Sequence, residues 1–201
     1  MRIAVLGGAF DPIHNGHLAI LSTVLSQGFA DEVYVILSRQ HPPHKAPAVA
    51  PAEDRLAMCE VALDPVPHTR ILTFETDNRT QGYTLETLAH LRQVLSPEAE
   101  LSLVVGTDNF LMLHTWHNPR GVLALARLLV IGRDGQTPDV CQAYFESHFF
   151  PDWTAHVDWV SMPPVETSST ALRQAIRAGE SVSAWLPPAV AAYIDTMGLY
   201  R

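Results

Sequence analysis

The residues best suited to chemistry lie near the N-terminus, in Gly7-Gly8-Ala9-Phe10-Asp11-Pro12-Ile13-His14-Asn15-Gly16-His17-Leu18. Glycine lets a backbone approach a ligand closely. The N–H groups at a helix start lack intrahelical partners and favour an anion. His14 and His17 are three residues apart, so on a first helical turn they face the same way. Gly7, Gly8, Ala9, Phe10, His14 and His17 therefore read as a phosphate cradle with two imidazole donors. The pattern is not a Walker A loop, because no Gly-Lys-Ser/Thr follows, and it is not Gly-x-Gly-x-x-Gly. Taken alone, the two histidines also fit a structural turn or a metal-ligating pair. A second candidate is Thr167-Ser168-Ser169-Thr170-Ala171-Leu172-Arg173. Ser at a helix start is first an N-cap. The same geometry offers hydroxyls and N–H groups to phosphate, with Arg173 adding charge from the first turn.

These residues need elements to hold them. Ile3 to Leu6 is a short apolar run that reads as a buried parallel strand opening into the Gly7-Gly8 loop. Leu18, Leu21 and Leu25 place a helix after Gly16. Further strands are expected at Val33–Leu37, Arg70–Phe74, Leu101–Val105, Leu128–Ile131 and Val157–Val160. Helices are expected at about 53–63, along Leu85, Leu88, Leu91 and Leu95, and at about 169–178 and 187–196. Pro42, Pro43, Pro47 and Pro51 block regular structure between the second strand and its helix, so this stretch reads as a loop and a candidate flap. Strands alternating with helices predict an α/β, Rossmann-like, doubly wound parallel sheet, with ligands beyond the C-terminal strand ends. Residues 1–201 read as one domain, with a small C-terminal helical subdomain from about 165.

Bulk composition narrows the function classes. The 201 residues are 47% hydrophobic, enough for a sizeable core. The formal net charge of −8 argues against a partner that is long nucleic acid. Cys59 and Cys141 have no metal-ligand spacing and read as reduced, packed thiols of a cytoplasmic protein. The ten histidines are scattered, and no metal-ligand set is expected. The apolar run after Met1 is too short for a signal peptide, and Gly121–Gly132 is too short to span a bilayer, so no membrane association is expected. A homo-oligomer is compatible with the sequence.

With its full context, the 7–18 segment resembles the opening motif of the HxGH nucleotidyltransferase superfamily. Within it, the chain resembles the bacterial nicotinate-mononucleotide adenylyltransferases. The resemblance runs in order along nearly the whole chain, through Pro42-Pro43-His44-Lys45, Arg55 with Met58, Tyr83-Thr84, Thr87-Leu88, Gly106-x-Asp108, Trp116, Ser168-Ser169-Thr170-x-x-Arg173, Leu186-Pro187 and Gly198-Leu199-Tyr200. It implies adenylyl transfer from ATP to nicotinate mononucleotide, with Mg²⁺ carried by ATP. It assigns Ser168, Ser169, Thr170 and Arg173 to the ATP phosphates and sets Lys45 near substrate phosphates. Trp116 would stack on the pyridine ring, although a tryptophan also suits a core. Tyr83 and Thr84 begin a helix whose N–H groups would receive the nicotinate carboxylate. Gly106 follows the fourth strand, and Asp108 either caps the next helix or accepts from nucleotide hydroxyls. His17 would serve the α-phosphate, His14 the neighbouring phosphates, and Lys45 and Arg173 the leaving group.

The chain departs from the family pattern in two places. Gln81-Gly82-Tyr83-Thr84 stands for Gly-x-Ser-Tyr-Thr, with the spacing from Arg79 one residue short and the upstream acid at Glu75. Arg133-Asp134-Gly135 stands for Arg-Pro-Gly. These differences bear on acceptor choice rather than on ATP. The alternatives are a sister enzyme using nicotinamide mononucleotide, phosphopantetheine or FMN, a non-catalytic nucleotide-binding paralogue, and a metal-binding protein.

Overall fold

The computed structural model describes residues 1–38, 49–76, 81–132, 136–163 and 167–201. Lys45 and the centre of the expected flap, Arg79, and Arg133-Asp134-Gly135 lie outside the described residues.

Six strands form one parallel sheet: β1 (Arg2–Gly8), β2 (Glu32–Leu37), β3 (Thr69–Leu72), β4 (Glu100–Gly106), β5 (Arg127–Ile131) and β6 (Val157–Val160), in the order β3-β2-β1-β4-β5-β6. Eight α-helices accompany them among the described residues: α1 (Asn15–Ser26), α2 (Ala52–Leu63), α3 (Thr84–Val94), α4 (Thr107–Phe110), α5 (Pro119–Leu125), α6 (Pro138–His148), α7 (Ser169–Arg177) and α8 (Pro188–Met197). This is the α/β, Rossmann-like arrangement expected. The strand order reverses between β1 and β4, which opens a crevice at their C-terminal ends. Gly7 and Gly8 end one of these strands and Gly106 ends the other.

Alternation along the strands divides the core into two layers. Ala4, Leu6, Val33, Val35 and Val104 pack with Ile20 and Val24 of α1, Met58 and Cys59 of α2, Leu172 of α7, and Val190 and Ile194 of α8. Ile3, Val5, Tyr34, Ile36 and Leu103 face the other way, toward Leu88 and Leu91 of α3, Phe110 of α4, Val122 of α5 and Phe145 of α6. The C-terminal helices thus share the core of α1 and α2. Both cysteines are buried and unpaired, and burial pushes the Cys59 thiol up to about 12, so it stays a protonated packing group. Among the described residues, no helix is long and apolar enough to cross a membrane.

One strand is shorter than expected. The chain leaves the sheet after Leu72 and turns, with the Thr76 N–H on the Thr73 carbonyl at 2.8 Å. Phe74 stacks on His90 of α3 instead of extending β3. The helix expected after Gly106 is the short α4, while α5 and α6 are not among the sequence expectations.

Candidate active site

The chain leaves β1 through Gly7 and Gly8, and Phe10 takes a left-handed φ of 49°. A Cβ on Gly8 would stand 3.0 Å from the Phe10 ring, so a larger residue there would have to displace the ring by a few tenths of an ångström. A Cβ on Gly7 would meet no atom within 4 Å, which leaves its backbone open to the crevice. The Phe10 ring packs edge-on against His17, with centroids 5.0 Å apart.

His14 and His17 build the start of α1 in an unusual way. His14 is the N-cap, and its Nδ1 accepts from the Gly16 N–H at 3.1 Å. His17 reaches back, and its Nδ1 accepts from the His14 N–H at 3.2 Å. This is a capping box with imidazoles in the roles usually filled by Ser and Glu. It also fixes a tautomer. An imidazole whose Nδ1 accepts must, when neutral, carry its proton on Nε2. Both rings therefore have a donor at Nε2, the polarity that a phosphate oxygen needs. Their centroids are 3.9 Å apart, His14 is only 2% exposed and His17 is half-buried.

Asp11 holds this loop to the rest of the fold. It is 1% exposed. Its carboxylate accepts from the Val49 N–H at 2.8 Å, the Ala50 N–H at 3.1 Å and the Tyr200 hydroxyl at 2.7 Å. Arg173 lies 3.6 Å from the same carboxylate and donates to the Asp11 carbonyl at 2.7 Å. Ser169 donates to the Pro12 carbonyl at 3.0 Å, while Ser168 caps α7 by accepting from the Ala171 N–H at 3.2 Å. Arg173 also donates to Thr170 Oγ1 at 3.3 Å. The Ser168–Arg173 segment and the first loop thus form one wall. Arg55 sits beneath it, 2% exposed, and its guanidinium donates to the carbonyls of Ala9, Ser38 and Ala50. Burial pulls its pKa down, an effect opposed by the charge of Asp11. Asn15 fixes the other side, donating through its backbone to Trp185 and through its side chain to Ala184.

A second group gathers across the sheet. Tyr83 is the N-cap residue of α3, and its ring stacks on His117 with centroids 4.2 Å apart. The Glu86 and Thr87 N–H groups turn back to the Tyr83 carbonyl, so helix geometry leaves those of Thr84 and Leu85 without an intrahelical carbonyl. Half-buried Trp116 packs against the second core layer beside them. Gly121 gives room for the Asn118 cap of α5 and for Leu85 of α3, since a Cβ there would lie 2.6 Å from Asn118 Nδ2 and 3.0 Å from the Leu85 side chain. Below α3, Thr87 donates to buried Glu75 at 2.7 Å, and burial raises the Glu75 pKa. Gly106 is the N-cap of α4 and no side chain caps it. Asp108 lies exposed in that first turn.

Residues 5–175 match the cytidylyltransferase-like family model. A Dehalococcoides mccartyi protein named "Probable nicotinate-nucleotide adenylyltransferase" is 35% identical over 100% of this chain and 98% of its own length. The chain belongs to the nicotinate-nucleotide adenylyltransferase family. A relative of the same name from Laribacter hongkongensis is 36% identical, covering 100% of this chain and 95% of its own. The fold is also that of a Plasmodium falciparum nicotinic acid mononucleotide adenylyltransferase complexed with NaAD, at a TM-score of 0.78, 16% identity and coverage of 99% of this chain and 97% of that one. In this member of the adenylyltransferase family, the HxGH loop, the Ser-Ser-Thr helix start and the Trp116 region all border the C-terminal edge of the sheet. Asp11, Arg55, Tyr200 and His117 were given no role from sequence. In the sequence, Asp11, Arg55 and Tyr200 stand only as matches to the family pattern.

Proposed function

We propose that the protein transfers the adenylyl group of ATP to nicotinate mononucleotide, forming nicotinate adenine dinucleotide and releasing pyrophosphate. The observation that carries this reading is the pair of Nε2 donors set by the imidazole capping box at the end of β1. They stand at the sheet's switch point, where backbone N–H groups and helix starts also favour phosphate.

The acceptor's phosphate monoester has a second pKa near ~6, so it is largely dianionic at neutral pH and needs no general base. One of its oxygens attacks the α-phosphorus in line. The new P–O bond forms as the bond to the bridging α–β oxygen breaks, and pyrophosphate leaves with that electron pair. The protein's task is to bring two anions together and meet the charge that builds between them. His17 donates to the α-phosphate oxygens and His14 to neighbouring phosphates. Ser168, Ser169 and Thr170 border the remaining phosphates. Arg173, already tied to Asp11, holds the wall in place and adds positive charge, and Lys45 supplies charge to the leaving group. Gly106 and Asp108 face the nucleotide from the end of β4. The donor set at the cradle is N–H rather than carboxylate. It suits phosphate oxygens, so Mg²⁺ would be brought by ATP and would offset charge on the triphosphate, held mainly by phosphate and water.

On the acceptor side, the first turn of α3 at Tyr83 and Thr84 receives the carboxylate, and Trp116 offers its indole face to the pyridinium ring. Trp116→Ala is expected to raise the KM for the acceptor several-fold more than the KM for ATP, read from initial rates with each substrate varied. Equal effects on both would make Trp116 a packing residue only. The reaction itself is tested by pyrophosphate release from ATP with nicotinate mononucleotide, nicotinamide mononucleotide, phosphopantetheine and FMN in parallel. The highest kcat/KM is expected with nicotinate mononucleotide. A clear preference for another acceptor, or release with none, would overturn the assignment.

A further inference from the structure

We propose that Tyr200, the penultimate residue, is a positioning residue of the phosphate cradle and acts through Asp11; this rests on the cradle assignment above. Helix α8 ends in a Schellman arrangement. Gly198 adopts φ 64°, the Leu199 N–H returns to the Ile194 carbonyl at 3.0 Å, and the Gly198 N–H returns to the Asp195 carbonyl at 3.3 Å. Tyr200 follows with a left-handed φ of 64°, a conformation that a tyrosine seldom adopts. The result is a ring that is 5% exposed, packed in the core of α1 and α2, with its hydroxyl 2.7 Å from Asp11 Oδ1. Burial first, and the bond to Asp11 second, push that hydroxyl far above its usual pKa, so it remains a donor.

A buried carboxylate is tolerated only when its oxygens are satisfied. Asp11 Oδ2 takes the Val49 N–H and lies near Arg173, while Oδ1 takes the Ala50 N–H and the Tyr200 hydroxyl. Tyr200 is thus the only side-chain hydroxyl recorded on Asp11 among the described residues. Asp11 is three residues before His14, and its carbonyl is the anchor of Arg173. Removing one donor from Asp11 releases a constraint shared by the His14–His17 turn and the Ser168–Arg173 helix start. The C-terminal tail thereby sets the spacing of the two phosphate-binding segments without touching the nucleotide.

The test compares full-length wild type, Y200F, D11N and the double variant. It reads pyrophosphate release, calorimetric binding of α,β-methylene-ATP, and Tm. Y200F is expected to fold, to lose about tenfold in kcat and in analogue affinity, and to keep the acceptor KM within about twofold of wild type. Because Tyr200 acts through Asp11, the double variant should be no worse than D11N by more than about twofold. A purely structural tyrosine would lower Tm and leave the analogue affinity of the folded protein unchanged; that outcome overturns the proposal. So does a double variant whose loss is the product of the two single losses. Should wild type release no pyrophosphate with any acceptor, the adenylyl-transfer reading fails, and the analogue-binding comparison of wild type with Y200F still decides the role of Tyr200.

Discussion

Replacing His17 by alanine is expected to lower kcat by about 100-fold or more, the scale of removing one oxyanion-type donor from a preorganised site. The effect belongs mainly to kcat, because the α-phosphorus gathers charge on its oxygens as the acceptor approaches. The substitution also removes half of the capping box, so some stability is lost with the bond to the His14 N–H. The two consequences separate by measurement. Steady-state rates taken well below the variant's Tm report the donor, and thermal unfolding reports the cap. Near-normal turnover would take His17 out of the reaction and leave it as a helix cap alone.

Arg55→Met is expected to be the most damaging substitution for stability. The guanidinium donates to the carbonyls of Ala9, Ser38 and Ala50 at 2.7, 2.9 and 3.3 Å. Methionine fills similar space and leaves all three without their donor. Ala50 is buried and Ala9 and Ser38 are half-buried, and at about 1 kcal/mol for each acceptor left without its donor a loss of about 3 kcal/mol is expected. For a chain of this size that corresponds to a fall in Tm of roughly 6–12 °C. The change also leaves the buried charge of Asp11 with less compensation, which adds in the same direction. A Tm within about 2 °C of wild type would show that these carbonyls find other partners.

Much of the layout was legible because the strongest sequence signals are local. Ile3–Leu6, Val33–Leu37 and Leu101–Val105 are apolar on both faces, as strands of a sheet covered on both sides must be. The His14–His17 and Ser168–Arg173 segments, to which the proposal assigns phosphate, carry short-range capping patterns, and these fold as caps. The missed helices carry start signals of this kind, Asn118-Pro119 and Thr137-Pro138, but little apolar periodicity behind them. Helix α5 has seven residues, includes Gly121, and is held by packing on α3 rather than by propensity. Helix α6 buries only Cys141 and Phe145, one turn apart. At β3 the apolar Phe74 extended the strand on paper, while in the fold it serves the stack on His90.

The anchoring network was illegible for a different reason. Nothing in the triplet Phe10-Asp11-Pro12 indicates that its carboxylate will meet residues 49, 50, 173 and 200. Those contacts exist only after β1, α2, α7 and α8 have packed. The imidazole capping box lies between these extremes. Its spacing is visible in the sequence, but the assignment of both Nδ1 atoms as acceptors needs the folded turn.

That assignment is open to direct observation by ¹⁵N NMR of the imidazole side chains during titration with α,β-methylene-ATP. His14 and His17 should both report protonated Nε2 and unprotonated Nδ1 before nucleotide is added, and both Nε2 signals should shift as the triphosphate binds. Saturating nucleotide that leaves the two rings unmoved, or rings protonated at Nδ1 and bare at Nε2, would contradict a triphosphate held by these imidazoles.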